Sequence, residues 1–234
     1  MAWSDPSRDD HGVSARQDGE IDGQDLQVLV VDDHPALQAG LEGLLNGEAG
    51  IRCVGVVDGA EGLFAAVLKD RPDVVVLDYA LGESDGLTLC FRLKQQAVSP
   101  RVVLYSAYAD GAFTVPAAIA QADAVVAKSA PVDELLSTIR HVAWDEMQRP
   151  QLDAEVIEAA SARLRADDLP VAGMLLGAVP VTDIARILEL SVSEVRRRAL
   201  RIIGRLQAGY RVRARALVTD HDAHEYRAAG SAPS

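Results

Sequence analysis

Five polar residues each close a short apolar run: Asp32 and Asp33 after LQVLVV, Asp78 after PDVVVL, Ser106 after RVVLY and Lys128 after ADAVVA. Gathered in one place, they are three carboxylates, a hydroxyl and an ammonium. Clustered carboxylates repel unless a cation sits among them, and hard oxygen donors in a small, charge-dense site suit Mg2+. Taken singly, each has a plainer use. An Asp pair before His34-Pro35 makes an ordinary helix N-cap, and a strand-end Asp solubilises a loop. The conjunction of all five on strand ends carries the argument.

What must position them is a set of alternating elements. β-branched runs (LQVLVV, IRCVGVV, PDVVVLD, RVVLYS, ADAVVAK) alternate with amphipathic segments (PALQAGLEGLLN, AEGLFAAVLKD, GLTLCFRLKQQ, AFTVPAAIAQ, PVDELLSTIRHVAW), a (βα)5 order. Continuous Val/Leu runs read as strands buried on both faces, and right-handed crossovers then give an α/β, doubly wound, five-stranded parallel sheet. In such a sheet every strand's C-terminal end reaches one edge, where ligands bind. After Trp144 the strand signal stops, and a second, smaller all-α domain is expected. The organisation read from the sequence is a disordered tail over 1–24, the α/β domain over 25–144, a linker and helix over 145–165, the helical domain over 166–217 and a flexible tail over 218–234.

Composition narrows the function classes. The 234 residues are 49% hydrophobic and 25% charged with a formal net charge of −12, an ordinary globular balance. No apolar run approaches the ~18 residues of a membrane span, and the polar N-terminus lacks a secretory h-region. Cys53 and Cys90, far apart in apolar stretches, read as small core residues. A cytoplasmic protein without membrane partners is expected. The charge is also uneven. Residues 191–215 hold eight arginines against one acid, a local +7 that leaves −19 for the remainder. That asymmetry points to a nucleic-acid contact confined to one region.

The segments VLVVDDHP, VVVLDYALGESDG, VVLYSAY and VVAKSAPVDEL resemble, in order and spacing, the signatures of response-regulator receiver domains, which have the CheY-like, flavodoxin-like fold. The resemblance spans residues 26 to 143. It implies that Asp78 is the phosphoacceptor, Asp32 and Asp33 the Mg2+-binding pair, Ser106 the hydroxyl that follows the phosphoryl group and Lys128 the pairing lysine. It further implies a metal contact from the Ala80 backbone carbonyl and a loop glycine at Gly86. A carboxylate attacking a phosphohistidine phosphorus needs its loose transition state neutralised by metal and lysine. Two positions depart from the family. Val125 stands where an aromatic usually lies three residues before the lysine, and Gly82 where many members have proline; Tyr105 and Tyr108 flank Ser106 instead.

Further along, PVTDIARILELSVSEVRRRALRIIGRL reads as a helix over 182–188, a turn at Glu189-Leu190-Ser191 and a second helix opened by the capping box Ser191-x-x-Glu194. Val192, Val195, Ala199, Ile202, Ile203 and Leu206 form its apolar stripe. This layout resembles the helix-turn-helix of LuxR/NarL-type regulators, in which the second helix enters the major groove. By that resemblance Arg196, Arg197 and Arg198 approach DNA, and Arg201 and Arg205 contact its backbone. LRADDLPVAGMLLGAVP lacks the glutamate of the family's leading helix.

Together these features predict a two-component response regulator that a sensor histidine kinase phosphorylates on Asp78, and that binds double-stranded DNA as a homodimer to regulate transcription. The alternative is a signalling adaptor whose helical domain binds a protein. An enzyme using Asp78 as a turnover nucleophile fits poorly, because Tyr79-Ala80 supplies no second acid for the leaving group.

Overall fold

The computed structural model describes residues 25–82, 84–109, 111–144 and 152–208. Five strands, β1 (Leu26–Val31), β2 (Ile51–Val57), β3 (Val74–Asp78), β4 (Arg101–Ser106) and β5 (Ala124–Ala127), form one sheet in the order β2-β1-β3-β4-β5. Every pairing is parallel. Parallel neighbours require crossovers, and helices α1 (Pro35–Gly47), α2 (Ala60–Asp70), α3 (Gly86–Lys94) and α4 (Gly111–Ile119) supply them, with α5 (Val132–Trp144) closing the unit.

The strand period of two divides the core. Val28, Val30, Val74, Val76 and Val103 face α1 and α5, where Leu41, Leu45, Leu136 and Ile139 cover them. Leu29, Val31, Val75, Leu77 and Leu104 face the opposite side, beneath α2, α3 and α4. Central strands buried on both faces must be apolar throughout, which is why their sequence shows no alternation.

Local signals set several boundaries. Pro35 opens α1, and the Asp85 carboxylate caps α3 by accepting from the Thr88 amide at 2.8 Å. Residues Ala80–Leu81 and Ser84–Asp85 form a short antiparallel pair that the sequence did not announce. The fourth helix, expected to run to Gln121, stops at Ile119; Gln121 is left-handed, at φ 64°.

Beyond the sheet come α6 (Ala154–Ser161), α7 (Leu169–Leu176), α8 (Val181–Ile187) and a long helix α9 over 192–208. Glu189, at φ 53°, turns the chain between α8 and α9, and the Leu190 amide donates back to the Ala185 carbonyl. The expected stripe on α9 is buried at Val195, Ala199, Ile202, Ile203 and Leu206; Val192 is half-buried. Helix α6 lies in the 145–165 stretch, where a linker and helix were expected. Together with α7 it packs on α4, so one apolar cluster runs from the sheet into the helical region. The tails over 1–24 and 218–234 lie outside the described residues, as do Arg211, Arg213 and Arg215.

Candidate functional site

Register alone assembles the acidic pocket. Val31 pairs with Leu77, so Asp32 and Asp78 follow side by side at the carboxyl edge. Asp78 pairs with Tyr105, which places Ser106 one step on, and Ser106 pairs with Ala127, the residue before Lys128. The order reversal falls between β1 and β3, the crevice where ligands of open α/β sheets bind.

All five sequence-predicted residues meet there. Asp32 is 2% exposed, Asp78 3% and Ser106 0%, whereas Asp33 lies at the mouth. The Lys128 ammonium sits 2.7 Å from Asp32 Oδ2 and 3.0 Å from Asp78 Oδ2, bridging two buried carboxylates. Burial pushes the Asp78 carboxyl up to about 6; Lys128 opposes this and Asp32 adds to it, while the Ala80 amide donates to the carboxylate. Burial works against the Lys128 ammonium, but Asp78 and Asp32 together outweigh it and raise its pKa.

His34 also belongs to the pocket. Its Nδ1 lies 3.0 Å from Asp32 Oδ1 and 2.9 Å from Asp33 Oδ1. Ligand atoms of Asp32, Asp33, His34 and Asp78 all fall within 4.8 Å of one another. The sequence carried the signal for His34 in its place directly after the Asp pair. Gln38, one turn into α1, donates to the Asp32 carbonyl, and the Gly82 amide donates to Asp33 Oδ2 at 2.9 Å. Gly82, the departure from proline, has φ 51°, a conformation proline's ring forbids.

Gly86 has a steric reason. A Cβ there would lie 2.2 Å from the Asp78 carbonyl oxygen and 2.9 Å from Tyr79 Cα. The Gly86 amide donates to the Tyr79 carbonyl at 2.8 Å, holding the loop against the end of β3. Around this end lie three rings. Tyr79 meets Tyr108 edge-on at 6.0 Å and Phe113 edge-on at 5.2 Å between centroids. The Tyr108 amide donates to Ser106 Oγ at 3.0 Å. Tyr105 instead lies under Lys128, with Nζ 5.9 Å from its ring centre. Val125 is half-buried against the cluster that contains Phe113.

The arginines of α9 separate into two groups. Arg197 is exposed and pairs with Glu194. Arg196 and Leu200 line a cleft of about 570 Å3 against Phe64 of α2 and Phe91 and Arg92 of α3. Arg198 donates to Glu194 Oε1 and to the Asp167 carbonyl, both at 2.8 Å. Arg201 reaches the Asp168 carboxylate at 2.5 and 3.3 Å, and Arg205 lies 3.7 Å from it. Thus Arg198, Arg201 and Arg205, expected on the nucleic-acid face, are drawn to groups of the 167–168 segment. The cause is Asp168: 0% exposed at the start of α7, it needs a counter-charge. This leading helix lacks the family's glutamate, and Asp168 brings a carboxylate to α9 that helical spacing alone does not reveal. In the capping box, Ser191 Oγ accepts from the Glu194 amide at 3.1 Å, but the Glu194 side chain turns to the arginines.

Residues 28–140 match the model of the response regulator receiver domain. Among curated relatives, the chain is 27% identical over 141 residues to the transcriptional regulatory protein LiaR of Bacillus subtilis, a match covering 60% of this chain and 65% of LiaR. The chain therefore spans less than two thirds of that relative's length. With the nitrate/nitrite response regulator protein NarL of Escherichia coli it shares 25% identity over 199 residues, covering 80% of this chain and 92% of NarL. Among solved structures, RcsB of Salmonella enterica serovar Typhimurium, bound to a promoter in the presence of the phosphomimetic BeF3−, has a TM-score of 0.52 at 20% identity. That likeness in fold covers 78% of this chain and 92% of RcsB. Among the described residues no helix is long and apolar enough to cross a membrane.

Proposed function

We propose that the chain, whose residues 28–140 match the response regulator receiver domain, is a two-component response regulator: a sensor histidine kinase phosphorylates Asp78, and the modified protein binds DNA to regulate transcription. The observation that carries this reading is Lys128, bridging Asp32 and Asp78 beside the buried Ser106 hydroxyl at the carboxyl edge of the sheet.

Asp78 supplies the nucleophile. With a pKa near 6 it is ionised at neutral pH, yet more basic than an ordinary carboxylate, which strengthens its attack on phosphorus. The Lys128 ammonium stands where it can pair with the transferred oxygens, and Ser106 is placed to donate to one of them. The donor set of Asp32, Asp33 and Asp78 fits Mg2+: hard oxygens, close together, with more negative charge than one lysine neutralises. The Ala80 carbonyl is assigned to the same ion. Bound Mg2+ supplies neutralisation of the phosphoryl oxygens in the transition state.

For the helical region, the reading assigns DNA contact to Arg196 and Arg197, with Arg198, Arg201 and Arg205 holding α9 in place. Arg196 and Arg197 are both exposed on α9, Arg196 at the edge of the cleft against α2 and α3. A homodimer is proposed because one recognition helix reads too few bases, and the cytoplasm is the compartment where DNA is met. LiaR is named a transcriptional regulatory protein, which supports this reading.

Two experiments test it. Acetyl phosphate with Mg2+ is expected to label the chain and to leave Asp78→Asn unlabelled; full labelling of the variant refutes the acceptor. Selection of genomic fragments by the phosphorylated chain is expected to enrich a two-fold-symmetric motif, and no enrichment refutes the DNA-binding part.

A further inference from the structure

On the reading just proposed, a signal made at Asp78 must reach α6 to α9. The strand next to the lysine offers no ring to carry it, since β5 presents Val125 and Val126. We propose that the signal travels through the three-ring stack Tyr108, Tyr79 and Phe113 into α4, and from α4 to the helices packed on it.

Each link is a contact. The Tyr108 amide donates to Ser106 Oγ at 3.0 Å. A hydroxyl donates and accepts at once, so Ser106 can turn to a phosphoryl oxygen while keeping Tyr108 attached. As Ser106 closes on Asp78, Tyr108 is drawn with it. Its ring rests edge-on against Tyr79, which is fixed at the other end by its place directly after Asp78. The Tyr79 ring, 1% exposed, is in turn edge-on to Phe113 at 82° between planes. Phe113 is a fully buried residue of α4, and α4 is the element against which α6 and α7 pack.

Ring pairs suit this work because their geometry is discrete. Edge-to-face contact has a preferred separation and angle, and a ring displaced in a close-packed interior moves to another arrangement instead of deforming smoothly. The stack couples the two changes: closing of Ser106 on one side, loosening of α4 from α6 and α7 on the other. Loss of one ring pair shifts such an equilibrium by about two- to tenfold.

The test uses the full chain with Mg2+, beryllofluoride as the phosphoryl probe, fluorine NMR to read its binding and amide hydrogen exchange to read α6 and α7. Beryllofluoride is expected to speed exchange over 154–161 and 169–176 in the wild type. Tyr108→Leu and Phe113→Leu are expected to bind the probe normally but to lose about two- to tenfold of that acceleration, while Tyr108→Phe, which keeps the ring, retains it. Wild-type acceleration in both leucine variants overturns the relay, as does a wild type that binds the probe with no change in α6 and α7. If the wild type binds no probe at Asp78, the proposed function itself falls and takes the relay with it. Comparison of the two leucine variants guards against a local folding defect, because they lie in different elements.

Discussion

Neutralising Asp78 should stabilise the protein while abolishing its chemistry. Folding moves this carboxyl from an ordinary 3.8 to about 6, mainly by burial. The folded state then binds a proton more tightly than the unfolded chain, so stability falls as pH rises through the interval between the two values. A displacement of about 2 on the pKa scale, at about 1.36 kcal/mol each, comes to about 3 kcal/mol. Asp78→Asn keeps the shape and removes the charge. Its gain over the wild type is expected to be about 3 kcal/mol at pH 7, about 1.6 at pH 5 and about 0.6 at pH 4. Lys128 keeps Asp32 at 2.7 Å as its partner in the variant, so no ammonium is stranded. Urea unfolding of both proteins in a chelating buffer at these three pH values measures the difference. A gain independent of pH, or a wild type more stable than the variant at pH 7, refutes the assignment of buried charge to Asp78.

The remaining predictions concern packing and pairing. Arg201→Ala leaves Asp168 buried with only the more distant Arg205, and is expected to cost roughly 2–4 kcal/mol, below the full figure for a buried pair because Arg201 is itself a third exposed; thermal unfolding by circular dichroism reads this. Arg197→Ala should leave that stability unchanged and lower the salt slope of DNA binding by about one. Gly86→Ala forces a methyl into the end of β3 and is expected to cost about 1–3 kcal/mol by denaturant unfolding, and to slow labelling by acetyl phosphate. Glu189→Gly should stabilise by about 1 kcal/mol, since a left-handed residue with a Cβ is strained; an unchanged unfolding midpoint counts against it.

The acidic pocket was legible because it depends on period alone. Parallel strands bring their ends to one edge, so a residue closing an apolar run declares its location, and Asp32, Asp78, Ser106 and Lys128 needed nothing further. The apolar stripe of α9 was legible for the same kind of reason, at 3.6 residues. What period does not encode is the partner across space. Arg201 and Asp168 are thirty-three residues apart, and helical spacing gives the face an arginine occupies but not the acid another helix brings to it. Likewise a helix is expected within 145–165, but nothing in the short apolar side of α6 names α4 as its cover. The stack at Tyr79 was hidden because neighbouring residues in different elements show no shared pattern.

The cluster beneath α2, α3 and α4 continues into α7, α8 and α9, so the two halves share one apolar interior. Heating should melt them in a single cooperative transition, and a fragment ending at Trp144 would carry the uncovered side of α4, with Val115 and Pro116 turned to water. Uncovering that surface carries a wetting cost, so on the proposed reading the response to modification is a shift in population set by how far the new charge offsets that cost.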